Sequence, residues 1–281
     1  MAPKIKLLLY LVQINNSMVK VHVISDLWLD SNEWNNPEDE NLPECDVVIV
    51  NGNCGHTKRA MILIEPLCEK YPEKQFIYNM GLIDAPYQKT KTQVPDGLRA
   101  RQMYSDLWPK NLHYRYKKPL ILEINNAKLD ILCLHGYPSI AENVQDDEAW
   151  RSTVWYRYFY HGVTHDQTVF KAPQAANVYH GHWPIWSTPE LCRQDHDAEL
   201  ELIKSWLNTP SDGHKVLVTA ISPFNDPNLG NIEYTMYQGI QPDYWFVGGT
   251  KIDTTIDNCL VHGNPGSGSL VRDVVCTIET S

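Results

Sequence analysis

The residues able to do chemistry collect in turns that close short apolar runs. The run Val19 to Ser25 ends in Ser25-Asp26, Asp46 to Asn51 ends in Asn51-Gly52-Asn53, and Gln75 to Asn79 ends in Asn79-Met80-Gly81. Ligands of open α/β sheets sit outside the carboxyl ends of the strands, so these turns are where a site would lie. Taken singly, the residues have plain readings: Asp26 as a helix or turn cap, Asn79 as a turn stabiliser, Trp28 as a core aromatic. Histidines form a second set. His180 and His182 make an H-x-H pair able to ligate zinc, His56 lies just past Asn53 beside Cys54, and His135 follows a strand. They define a candidate rebuilt polar site, although histidines so placed are more often surface or core residues.

The elements that must position these residues alternate short apolar runs with longer amphipathic stretches, which predicts an α/β or layered α+β domain. Strands are expected at 19–25, 46–51, 75–79, 119–124, 129–134, 215–219, 244–247, 259–262 and 270–277. The early ones are nearly all apolar, as strands covered on both faces are. Helices are expected at 58–71, 95–107 and 188–207. Pro66 should kink or shorten the first, while Thr188 and Pro189 suit the cap and first turn of the third. Residues 84–116 and 135–186, rich in Tyr and Trp, read as lid-like insertions over the strand ends.

In order, spacing and strand context these segments resemble the calcineurin-like metallophosphoesterases, whose motifs run D-x-H, G-D, G-N-H, a lone His and G-H-x-H. The counterparts here are Ile24-Ser25-Asp26-Leu27-Trp28, Val50-Asn51-Gly52-Asn53, Tyr78-Asn79-Met80, Val218-Thr219-Ala220-Ile221-Ser222-Pro223 and Val247-Gly248-Gly249-Thr250-Lys251. The tail His262-Gly263-Asn264-Pro265-Gly266 is similar to the family's closing N-P-x-G turn. The resemblance implies a four-layer sandwich, two central mixed sheets flanked by helices. It implies one domain over 18–281, after an extension or upstream start at 1–17.

In that family two metal ions share a bridging carboxylate and generate a metal-bound hydroxide. Of the seven ligand positions the resemblance implies, Asp26 and Asn79 alone keep a ligand residue. Trp28 offers an N–H donor where a histidine lone pair is needed. Asn53 removes the bridging charge, Ala220 and Gly249 supply no ligand, and Lys251 brings an ammonium. Met80 replaces the proton-donating histidine. The expectation is a catalytically inactive member, a binding or scaffold module for a protein partner or a phosphate-containing small molecule. No cofactor is expected; a retained metal would be zinc, manganese or iron. The alternatives are a hydrolase with weak or altered phosphodiesterase or phosphatase activity, and an assembly subunit of a larger complex. One replacement interaction follows: Lys251 pairing with Asp26, whose carboxylate would otherwise be buried alone.

Composition bounds the rest. A net charge of −10 and a pI near 5.5 argue against a nucleic-acid partner. The seven cysteines are scattered without a CxxC, which suits a reducing, cytoplasmic setting. The apolar run Leu7 to Val12 is too short to span a bilayer, and no membrane association is expected. The aromatic stretch Trp150 to Tyr160 reads either as a contact surface or as a lid packed on the core.

Overall fold

The computed structural model describes residues 18–25, 41–52, 57–79, 81, 108–114, 116–136, 189–221, 240–249, 252–256, 258–263 and 275–279. The chain is a mixed α/β protein with two sheets. The first sheet takes β1 (Met18–Ile24), β2 (Val47–Asn51), β3 (Gln75–Asn79), β4 (Leu112–His113) and β11 (Val275–Glu279), in the order β11-β1-β2-β3-β4. The strands β1 to β4 are mutually parallel, and β11 closes one edge antiparallel to β1. The second sheet takes β5 (Leu120–Ile124), β6 (Ala127–Leu134), β7 (His214–Thr219), β8 (Tyr244–Val247), β9 (Ile252–Ile256) and β10 (Cys259–Gly263), in the order β5-β6-β7-β8-β10-β9. There β6, β7, β8 and β10 run parallel, and β5 and β9 form antiparallel edges.

Side-chain alternation builds the core. Successive residues of a strand face opposite ways, so Val19, Val21 and Val23 of β1, Val47 and Ile49 of β2 and Ile77 of β3 share one face. They pack with Leu129, Ile131 and Cys133 of β6, Val216 and Val218 of β7 and Phe246 of β8 in one cluster between the sheets. The opposite face of the first sheet buries Val48, Val50, Phe76 and Tyr78 against Ile64, Leu67 and Cys68 of helix α1 (Thr57–Lys70). The far face of the second sheet buries Leu132, Leu217 and Trp245 against Ile203 and Trp206 of helix α2 (Pro189–Asn208).

Most expected elements form within a residue or two of their boundaries; the strand expected at 270–277 is described as β11 over Val275–Glu279, its expected first half lying outside the described residues, and three further points differ. Helix α1 is not shortened by Pro66: it runs its full 14 residues with the proline inside. Burial of Ile64, Leu67 and Cys68 on both sides of Pro66 holds it against the sheet, so packing outweighs the lost backbone hydrogen bond. Strands β4 and β9 were not expected. Leu112–His113 lies at the end of the stretch read as a lid, yet it adds an edge strand beside β3. Strand β9 was missed because its Ile-Asp-Thr-Thr-Ile sequence is largely polar, and Asp253, Thr254 and Thr255 are exposed at a sheet edge. The expected helix at 95–107 and most of both insertions lie outside the described residues. Among the described residues no helix is long and apolar enough to cross a membrane.

Candidate functional site

Parallel register sets the ends of β1, β2 and β3 side by side: Ile24 is level with Val50, and Asn51 with Asn79. Alternation then decides which residues face inward at that level. Ser25 continues the series Val19-Val21-Val23, Asn51 continues Val47-Ile49, and Asn79 follows Ile77. The apolar filling between the sheets therefore ends in a polar row, Ser25, Asn51 and Asn79, each at most 1% exposed. On the second sheet the same count places His135 beyond Cys133, Ala220 beyond Val218 and Gly248 beyond Phe246. This is the floor of the candidate site.

Two asparagine amides tie the sheets together at this floor. The Asn51 Nδ2 donates to the Thr219 carbonyl at 2.8 Å and to the Phe246 carbonyl at 3.4 Å. The Asn79 Nδ2 donates to Asn51 Oδ1 at 2.9 Å and to the Leu134 carbonyl at 2.8 Å. Because carbonyl oxygens surround both nitrogens, the amide orientations are fixed. The consequence is that Asn79 Oδ1 is turned away from these partners; it is buried and accepts no hydrogen bond among the described residues. The Ser25 Oγ is buried and unpartnered in the same sense.

Close backbone approach explains the small residues. A Cβ on Gly52 would lie 2.5 Å from Ala220 Cβ and 3.1 Å from Gly81 Cα. A Cβ on Gly248 would lie 2.2 Å from the Ala220 carbonyl oxygen. The strand ends of the two sheets thus touch through glycine and alanine, and Gly52 also needs its φ of 71° to turn out of β2. At Gly249, by contrast, an added Cβ would meet none of the described residues within 4 Å.

A second buried cluster flanks the floor where β6 ends. The Glu199 carboxylate of α2 is fully buried and accepts from the amides of His135 (3.2 Å) and Gly136 (2.9 Å) and from Tyr116 OH (3.3 Å). The Lys117 Nζ lies 4.0 Å from it and 3.7 Å from Asp195. His135 stacks on Tyr116 with ring centres 4.4 Å apart. Burial, helped by the Lys117 charge, pushes the His135 imidazole down to about 3, so it is neutral at pH 7. Sequence reasoning missed Asn51 and Glu199. Asn51 carried a signal, since it closes an inward-facing alternating run with an amide; Glu199, in the middle of an acidic helix, carried none.

Of the expected site residues, Asn79, Ala220, Gly249 and His135 are described. Asn79 and Ala220 come together at the floor, and Gly249 follows at its rim. Asp26, Trp28, Asn53, Met80, Lys251, His56, His180 and His182 lie outside the described residues, as does the stretch 150–160. Among the described residues, no group of three or more His, Cys, Asp or Glu side chains could hold a metal ion.

No protein-family profile matches the chain, and no curated protein matches it by sequence. A solved structure does match: the phosphopantetheinyl hydrolase PptH of Mycobacterium tuberculosis, with a TM-score of 0.57 at 11% identity over 90% of each chain. The likeness is one of fold. The chain shares the overall fold of that hydrolase.

Proposed function

We propose that the chain is a catalytically inactive, calcineurin-like metallophosphoesterase relative with the four-layer arrangement of that family. It serves as a binding or scaffold module for a protein partner, with a phosphate-containing small molecule as the second ligand class. One observation carries the reading. Asn79 stands at its strand end with its Oδ1 buried and unmatched among the described residues, yet Ala220 and Gly249 have no side-chain atom to offer a metal. The described residues do not fit a two-metal centre. In sequence, Trp28, Asn53 and Lys251 replace three further ligands, the bridging carboxylate among them, Met80 replaces the proton donor, and Asp26 is kept. A catalytic zinc site ordinarily needs three protein ligands.

The protein purified without an affinity tag should release no product above blank from generic phosphodiesters or phosphomonoesters. That holds with zinc, manganese or iron added. Turnover that disappears in Asp26→Ala would overturn the reading and restore a hydrolase. We also propose that Lys251 pairs with Asp26 in place of the first metal. A double-mutant cycle of Asp26→Asn and Lys251→Met should give a coupling of about 1–3 kcal/mol in chemical denaturation. Additive effects would sink the pairing.

A further inference from the structure

We infer that the chain forms a two-fold dimer in which β5 pairs with β5 of a second copy, antiparallel and centred on Ile121. The contact is independent of the non-catalytic reading. Among the described residues two large apolar side chains are exposed, Met18 at 46% and Ile121 at 56%. Ile121 stands mid-strand in β5, the outer strand of the second sheet, with no described strand beyond it. Its neighbour on β6 is Asp130, a carboxylate engaged with Trp206 and Lys215, so the isoleucine meets no apolar side chain directly across that ladder.

The hairpin decides which peptide groups face outward. Asn125 and Asn126 have positive φ, 52° and 64°, as a two-residue type I′ turn requires. Such a turn closes on a hydrogen-bonded pair, here Ile124 and Ala127. Hydrogen-bonded pairs then alternate. Leu122 and Leu120 bond to β6, and the N–H and C=O groups of Ile121 and Glu123 point out of the sheet's edge. Such an edge is a template for another strand. Edge strand β4 has only two residues, and β9 exposes Asp253, Thr254 and Thr255 rather than a large apolar side chain.

The sequence Pro119-Leu120-Ile121-Leu122-Glu123 suits its own copy in one register. Residues opposed in an antiparallel pair share a face, so outward-bonding residues meet outward-bonding residues. Centred on Ile121, the two isoleucines cover each other and exchange two hydrogen bonds. Glu123 N–H on each side then donates to the partner's Pro119 carbonyl, and proline has no N–H to leave unpaired. Centred on Leu122, Ile121 would face the partner's Glu123, and the two carboxylates would become diagonal neighbours. Centred on Leu120, Glu123 would face the partner's Lys117, whose N–H already donates to the Cys133 carbonyl and whose φ of 57° is no longer extended. A self-complementary edge is what an isologous two-fold contact needs. One strand pair is a small interface, so monomer and dimer exchange, with a Kd between about 1 μM and about 1 mM.

Sedimentation of the full chain across that concentration range tests this, and the average mass should rise from monomer towards dimer. Ile121→Lys sets two like charges opposite each other and should raise the Kd at least about tenfold. Because Ile121 is exposed, this variant should keep the wild-type urea midpoint. Under mild oxidation Ile121→Cys should give a disulfide-linked dimer, since Cα atoms of a hydrogen-bonded pair lie about 5.5 Å apart. Glu123→Cys should not, because its two copies stand four residues apart along the strands, about 13 Å. A chain that stays monomeric throughout overturns the inference and leaves the edge to a strand of another protein. Association that Ile121→Lys leaves unchanged overturns it, as does cross-linking of Glu123→Cys as ready as that of Ile121→Cys.

Discussion

Two buried polar clusters sit at opposite ends of the second sheet and are built on opposite terms. At the amino-terminal end of β7, the Asp130 carboxylate accepts from Trp206 Nε1 at 2.8 Å and from Lys215 Nζ at 2.6 Å. The Lys215 ammonium also donates to the Trp206 carbonyl at 2.9 Å and lies 4.9 Å from the indole ring centre. Asp130 and Lys215 are level across β6 and β7, so this cluster rivets α2 to the sheet with each charge partnered. At the carboxyl end the Asn51–Asn79 pair also joins elements, yet it leaves an oxygen unmatched among the described residues. A structural network closes on itself; a site keeps something in reserve. That difference separates a network with every charge partnered from one with an acceptor unmatched among the described residues.

The closed cluster should be the more expensive to break. Asp130→Ala strands a lysine whose side chain is 13% exposed, together with a buried indole N–H. A loss of about 3–5 kcal/mol in urea denaturation is expected, as for other buried pairs cut on one side. A loss under about 1 kcal/mol would mean that solvent reaches Lys215, and the contrast between the two ends would weaken. Asn51→Leu should cost about 2–3 kcal/mol, because it leaves one Asn79 amide hydrogen and the Thr219 carbonyl without their partner.

Acid should act from the upper side. His135 has an ordinary value of 6.5 unfolded and about 3 folded, so the unfolded chain binds the extra proton between those values. Stability from this group is complete above pH 6.5 and is lost as pH falls towards 3. Between pH 7 and pH 5 the loss is about 2 kcal/mol. His262, pushed down chiefly by its burial and against the pull of Asp253, adds in the same direction. His135→Gln should flatten the pH dependence of the urea midpoint over that interval; an unchanged slope would assign the acid sensitivity elsewhere.

How much of this was legible in the sequence follows from the physics of each part. The strands of both sheets could be read because buried parallel strands are continuous apolar runs, as in Val47–Asn51, all buried. The edge strand β9 could not, because its outward residues have no core to declare them. At the site, the strand-end turns and Asn79 were legible from spacing and resemblance. The role of Asn51 was not, since its partners are carbonyls of β7 and β8 more than 160 residues away. Glu199 was hidden for the same reason: its donors are the backbone amides of 135 and 136 and the hydroxyl of Tyr116, over 60 residues earlier. Side chains that serve distant backbone leave no local pattern.

The smallest expected effect is the sharpest test of the contrast between the two ends. Ser25 is fully buried at the close of β1, and a buried hydroxyl that served the fold would cost about 1–3 kcal/mol to remove. Its Oγ has no partner among the described residues, so Ser25→Ala removes a desolvated group and breaks no hydrogen bond. The change in urea midpoint should correspond to no more than about 0.5 kcal/mol, with stabilisation as acceptable as loss. Asn51, level with it on the next strand, should cost several times more. Equal costs at the two positions would mean that Ser25 belongs to a closed network after all, and the floor would then be structural like the Asp130 cluster below it.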